Sequence, residues 1–154
     1  MMNDVNPAPA SRGGVKDRLV INSELKHLKL ARYFIIRILR KVNVAPSDEN
    51  KIVLATDEAL SNIVEHAYEF NKSGYIDINV EVNPSQFQIR IMNGGRDFDM
   101  GKVKIKDIVE HIKQGKKRGL GIFLMRRIMD EVKYSFKNGQ NQLTLIKYLT
   151  TSDR

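Results

Sequence analysis

Tyr75-Ile76-Asp77-Ile78-Asn79-Val80-Glu81-Val82 alternates apolar and polar residues without a break, and Phe87-Gln88-Ile89-Arg90-Ile91 repeats the alternation after Asn83-Pro84-Ser85. A period of two sends one set of side chains to each face of a sheet. Two strands of a hairpin follow, with the isoleucines, the valines and Phe87 turned inward. A two-stranded ribbon is not stable alone in water, so the flanking sequence has to supply both more strands and the layer that covers the apolar face.

Upstream, Lys16 to Asn22 reads as a short strand, with Asn22 or Ser23 placed to cap the helix that follows. That helix runs to about Val42. Leu28, Ala31, Phe34, Ile35, Ile38, Leu39 and Val42 recur at steps of three and four, which makes one buried stripe. Pro46 ends the connection, Ser47 or Asp48 starts a second helix that reaches about Phe70, and Asn71-Lys72-Ser73-Gly74 turns the chain into the hairpin.

Downstream, Met92-Asn93-Gly94-Gly95-Arg96-Asp97-Phe98-Asp99 is too rich in glycine and polar residues to prolong a ladder, and reads as a loop. A short helix from Ile105 to Lys113 is expected next. A longer one starts near Gly119 and turns Ile122, Phe123, Met125, Ile128, Met129 and Val132 inward. Two last strands, around Val132 to Phe136 and Gln142 to Tyr148, flank Lys137-Asn138-Gly139-Gln140, whose Asn-Gly step signals a hairpin. The order predicts an α+β fold: a two-layer sandwich of a mixed, largely antiparallel sheet with helices on one face.

Composition bounds the function. The 154 residues, 42% hydrophobic and 29% charged, fit one domain over residues 16–150, with tails at 1–15 and 151–154. The first fourteen residues show no apolar period and no signal-peptide core, and no later run reaches the roughly 20 apolar residues that cross a bilayer. No membrane association is expected. The absence of cysteine excludes disulfides, thiolate metal sites and cysteine nucleophiles, and fits a reducing cytoplasm. The net charge of +8 is partly local: Lys102, Lys104, Lys106, Lys113, Lys116, Lys117 and Arg118 stand against Asp107 and Glu110. Such a run is a solvated loop, a lid over phosphates or a docking surface for an acidic partner. Direct nucleic-acid binding ranks below these, since no helix-turn-helix, zinc or aromatic-ladder pattern accompanies the charge.

The second helix carries the candidate chemistry. At about 100° per residue, Glu58, Asn62 and His66 share one edge, while Val53, Leu60, Ile63, Val64 and Ala67 cover the other side. The Asn62 amide oxygen suits Mg²⁺, which takes few protein ligands when phosphates supply the rest, and Glu58 one turn away is placed to accept a proton. A solvated helix face presents the same column. His66 reads as a hydrogen-bonding or capping residue, because His27, His66 and His111 are dispersed and no ligand cluster accompanies them. Arg118-Gly119-Leu120-Gly121 opens the third helix, where backbone N–H groups can meet phosphate; glycine there also permits a tight turn or close packing.

Three blocks in order resemble those of the Bergerat-fold (GHKL) ATPases and, within them, the anti-sigma-factor serine/threonine kinases. Glu58-Ala59-Leu60-Ser61-Asn62-Ile63-Val64-Glu65-His66-Ala67-Tyr68 is similar to the family's N box, Asn93-Gly94-Gly95-Arg96-Asp97-Phe98-Asp99 to its first glycine box, and the run from Arg118 to Val132 to its second. The resemblance covers about Lys16 to Leu149. It implies ATP and Mg²⁺ as cofactors, Glu58 as general base, Asn62 as metal ligand, Asn93 as adenine contact, Gly95 as the close approach beneath the base, Gly119 and Gly121 as the phosphate-cradling turn, and Asn141 near the adenine; the basic segment before Gly119, read as a lid, would bring Lys116, Lys117 or Arg118 to the phosphates. It also implies a sigma factor and an anti-sigma-factor antagonist as partners, and a homodimer.

The chain departs from the family twice, with Asn93 where aspartate is usual and Asp97 where glycine is usual. Two functions follow: a kinase that phosphorylates the antagonist while sequestering a sigma factor, or a non-catalytic protein-binding module of the same fold with weak or no nucleotide use.

Overall fold

The computed structural model describes residues 14–99, 109–110, 113–114 and 120–150. Five strands form one sheet: β1 (Val15–Asn22), β2 (Tyr75–Asn83), β3 (Gln86–Asn93), β4 (Glu131–Lys137) and β5 (Gln140–Tyr148), in the spatial order β1-β2-β3-β5-β4. Every neighbouring pair is antiparallel. The expectation of a mixed sheet is corrected on this point.

The hairpin that decides the fold closes at Pro84-Ser85, with Asn83 opposite Gln86. Pro84 presets the first turn residue, and the Asn83 Oδ1 accepts from the backbone N–H groups of Ser85 and Gln86, each at 2.9 Å. The second hairpin turns at Asn138 and Gly139, both with positive φ (53° and 74°), the conformation its Asn-Gly step anticipates.

On the inner face, Ile76, Ile78, Val80 and Val82 of β2 and Phe87, Ile89 and Ile91 of β3 are buried, alternating as the sequence predicts. Asp77 is buried on the outer face, where Arg18 of β1 grips it through two guanidinium bonds of 2.8 Å. Full burial of each large aliphatic side chain contributes about 1.5–3 kcal/mol, so this layer dominates the stability of the sheet.

Helix α1 (Leu28–Lys41) follows a 3₁₀ turn at Leu25–His27 and buries Leu28, Ala31, Phe34, Ile35, Ile38 and Leu39, the expected stripe. It stops at Asn43, whose φ of 57° lets the Val44 N–H reach back to the Leu39 carbonyl at 3.0 Å. Neither Asn22 nor Ser23 caps the helical start. The Ser23 hydroxyl instead donates to the Asn71 carbonyl and accepts from the Gly74 N–H, fastening the turn before β2.

Helix α2 (Pro46–Asn62) begins at Pro46 itself, one or two residues before the expected start, because the first helical position has no N–H partner to lose. It widens into a π turn over Ile63–Ala67 and ends there, short of Phe70; Glu69 and Phe70 adopt positive φ of 51° and 65°. Helix α3 (Leu120–Ile128) buries Ile122 and Met125 and packs against α2, leaving Phe123 and Ile128 half-buried. The expected short helix from Ile105 to Lys113 lies mostly outside the described residues.

Candidate functional site

The 58–62 turn of α2 and the first turn of α3 meet face to face. A Cβ placed on Gly121 would lie 2.0 Å from Glu58 Oε2 and 2.8 Å from its carboxyl carbon, so the carboxylate occupies the space that glycine alone leaves open. Glu58 is half-buried here. Burial pushes its pKa up, and the neighbouring Asp57 charge adds to the rise. Asp57 faces the other way, held by the Arg32 guanidinium at 2.8 and 3.0 Å.

Asn62 lies one turn on and is 9% exposed. Its Nδ2 donates to the Glu58 carbonyl at 2.6 Å, which assigns the other amide atom, Oδ1, as the remaining acceptor. A carboxylate and an amide oxygen side by side are hard donors, and they fit Mg²⁺ in the company of phosphate and water. Among the described residues no cluster of three or more His, Cys, Asp or Glu forms a dedicated metal cage, and Mg²⁺ bound with phosphates does not need one.

A second group of predicted residues gathers at the far end of the same helix. The alternation of β3 that buries Phe87, Ile89 and Ile91 places Asn93 on the same inner face, and the register sets Asn141 of β5 directly opposite it. Both asparagines are 2% exposed. Asn93 Oδ1 accepts from the Gly95 N–H at 3.0 Å and from Asn141 Nδ2 at 3.1 Å. Asn141 Nδ2 also lies 3.1 Å from the Gly95 carbonyl and 2.9 Å from that of Arg96, while its Oδ1 accepts from the Phe98 N–H at 3.3 Å and contacts the Tyr134 hydroxyl. The Tyr134 hydroxyl in turn bonds Asp97, and burial followed by the Asp97 carboxylate holds its pKa well above the usual phenol range.

The loop after β3 is docked by the end of the second helix. Ala67 and His66 expose carbonyls at that end, and Arg96 takes both: its backbone N–H donates to Ala67 O at 2.8 Å and its Nε to His66 O at 2.7 Å. Gly95 makes the approach possible, since a Cβ there would sit 2.5 Å from Ala67 O. The Tyr68 hydroxyl donates to the Tyr75 carbonyl at 2.6 Å and accepts from the Gly94 N–H at 2.8 Å. The His66 ring stacks on Phe98 with centroids 4.9 Å apart, so this histidine serves the loop chiefly through its ring and carbonyl.

One helix therefore links two clusters. Glu58, Asn62 and Gly121 mark one end; Asn93, Gly95 and Asn141 gather at the other, where Gly95 abuts Ala67, nine residues or roughly 13 Å beyond Glu58 along the axis. Arg118 and Gly119 lie outside the described residues. Tyr68, Asp97 and Tyr134 join the second cluster without having been singled out as partners of the asparagines. Asp97 stood out only as a departure from the family pattern, and the tyrosines gave no local signal.

A single antiparallel sheet layered under helices, with the N-box helix joined to both glycine segments, is the α+β architecture of the Bergerat, or GHKL, ATPases. The chain belongs to the histidine kinase-like ATPase domain family, whose profile matches residues 21–147. It is 27% identical over 135 residues to the serine-protein kinase RsbW of Oceanobacillus iheyensis, covering 83% of each chain. It is 29% identical over 134 residues to the serine-protein kinase RsbW of Staphylococcus aureus strain JH9, covering 84% of each. The crystal structure of the RsbU and RsbW domains of Rv1364c from Mycobacterium tuberculosis superposes with a TM-score of 0.61 at 15% identity. That match covers 91% of this chain and 34% of the longer one, and it supports the fold alone. No described helix is long and apolar enough to cross a membrane.

Proposed function

We propose that the protein is a serine/threonine protein kinase that transfers phosphate from a magnesium-bound nucleoside triphosphate to an anti-sigma-factor antagonist, and that it sequesters a sigma factor. The observation that carries this reading is the Glu58 carboxylate seated against Gly121 at the opening of α3, with the Asn62 amide on the adjoining turn. The serine-protein kinase relatives supply the class of acceptor.

Glu58 would accept the proton of the attacking serine or threonine hydroxyl. Its raised pKa brings its basicity nearer to that needed at neutral pH. Asn62 would hold Mg²⁺ through Oδ1. When bound, the cation neutralises charge that develops on the transferring phosphoryl group. The backbone N–H groups at the start of α3, with Gly119 and Arg118 before it, would orient the phosphates through the partial positive charge of the helix N-terminus. Asn93, Gly95 and Asn141 would frame the base. The same reading takes residues 16–150 as one catalytic domain acting in the cytoplasm, and a second copy of the chain as a partner.

The engagement of Asn93 Oδ1 by Gly95 and Asn141 favours a second reading, a partner-binding module that makes little use of ATP. Incubating the protein with Mg²⁺, γ-labelled triphosphate and the purified antagonist separates the two. Label on an antagonist serine or threonine, lost in Asn62→Ala, is the expected result. Absence of transfer under conditions where an RsbW control transfers would remove the kinase reading and leave the module.

A further inference from the structure

The two buried asparagines have a fixed polarity. A backbone N–H donates and cannot accept, so the 3.0 Å bond from Gly95 identifies the Asn93 atom it meets as the carbonyl oxygen. Asn141 reinforces this assignment. Its amide nitrogen lies within reach of the Gly95 and Arg96 carbonyls as well as of Asn93, so the group it turns toward Asn93 is an NH₂, whose two hydrogens are shared among three acceptors. Rotating the Asn93 amide would set its NH₂ against two donors and break both bonds. Asn141 Oδ1 is committed as well, to the Phe98 N–H and the Tyr134 hydroxyl. Among the described residues, the group of this pair left without a protein partner is Asn93 Nδ2, a hydrogen-bond donor.

From this polarity we infer that the candidate site selects a 6-oxopurine nucleoside triphosphate, of the guanine or hypoxanthine type, over ATP. The inference rests on the reading of Asn93 as the residue that meets the purine. Adenine carries an amino group at position 6, which donates, whereas guanine and hypoxanthine carry an oxygen there, which accepts. A donor at Asn93 pairs with the oxygen and opposes the amino group. A buried donor facing a donor loses its bond and leaves both groups unsatisfied, which costs roughly ten- to a hundredfold in affinity. An aspartate at 93 would keep the bonds from Gly95 and Asn141 on one oxygen and turn an acceptor outward with the other. One atom at one position thereby reverses the preference.

Calorimetric titration of the wild-type protein and Asn93→Asp with ATP, GTP and ITP, each with Mg²⁺, tests the inference without any acceptor protein. In the wild type, GTP and ITP are expected to bind at least about tenfold more tightly than ATP, and in Asn93→Asp the order should invert. ITP shares the 6-oxygen of GTP and lacks its 2-amino group, so tight binding of GTP alone would overturn the assignment to position 6. Equal or tighter binding of ATP by the wild type, abolished by Asn62→Ala, would overturn the base preference and leave the nucleotide site standing. If none of the three binds to either protein, the site reading falls together with the inference. Far-ultraviolet circular dichroism of Asn93→Asp establishes that its behaviour is read on folded protein, and the wild-type ranking is decisive by itself.

Discussion

Stability and the chemistry proposed for Glu58 place opposite demands on its side chain. Its folded-state pKa lies above the ordinary glutamate value, so the folded protein holds the proton more tightly than the unfolded chain does. The favourable contribution is therefore complete below the unfolded pKa and disappears as pH rises through the folded value; at neutral pH the ionised carboxylate costs stability. Glu58→Gln removes the charge and keeps the shape. The variant should unfold at the same or higher urea concentration than wild type at pH 7, with any advantage vanishing below pH 4, while phosphate transfer falls by about 10²–10⁴. Equal loss of stability and activity would show a merely structural carboxylate. The pairing of Glu58 with Asn62 was legible in the sequence because helical period alone sets it. The contacts from Tyr134 to Asp97 and Asn141 were not, since they depend on the register of β4 with β5 and on where a loop comes to rest.

Two glycines join elements in different ways, and substitution distinguishes them. At Gly121 a methyl group would meet the far end of the flexible Glu58 side chain, whereas at Gly95 it would meet the rigid backbone of Ala67. Alanine also favours helix over glycine, by up to about 1 kcal/mol in a helix interior and less in the first turn where Gly121 sits, which works for Gly121→Ala. Gly121→Ala should therefore keep or raise the thermal midpoint yet displace the Glu58 carboxylate, the proposed base, lowering transfer toward the Glu58→Gln level. Gly95→Ala should lower the midpoint and free the loop after β3, seen as faster hydrogen exchange at Arg96. Reversal of that ranking would contradict the packing described here. At this scale the sequence was informative wherever a period or turn is local, as in the β2–β3 alternation and the Asn138-Gly139 turn. It failed at the end of the second helix, because nothing between Ala67 and Phe70 breaks a helix outright. The chain stops there while Arg96, thirty residues from His66, takes up the carbonyls of His66 and Ala67.

Across the whole molecule, the antiparallel sheet reconciles a helical crossover with the absence of parallel pairs. A strand, a connection through α3 and another strand ordinarily bring two parallel strands together. Here β4 does run in the direction of β3, but β5 returns through the Asn138-Gly139 turn and inserts between them. That insertion carries Asn141 to Asn93, so the strand order itself brings the two buried asparagines together. The opposite edge is held differently, by Arg18 of β1 on Asp77 of β2. The Arg18 hydrogen bonds hold the Asp77 pKa below the ordinary aspartate value, against the opposing effect of burial. A depressed carboxylate stabilises the fold above the unfolded pKa, and that contribution is lost as pH falls through the lower folded value. Arg18→Met keeps the apolar stem and removes the partner. The stability gap between wild type and Arg18→Met should be fully open at pH 6, narrow below about pH 4 and close in stronger acid, with added salt narrowing it at pH 6 because the Arg18 side chain is 64% exposed. Urea unfolding across that range measures the gap. A difference that stays constant from pH 6 into strong acid would assign the effect of Arg18 to its hydrocarbon stem, and the β1 edge would then be held by packing and the backbone ladder without its ion pair.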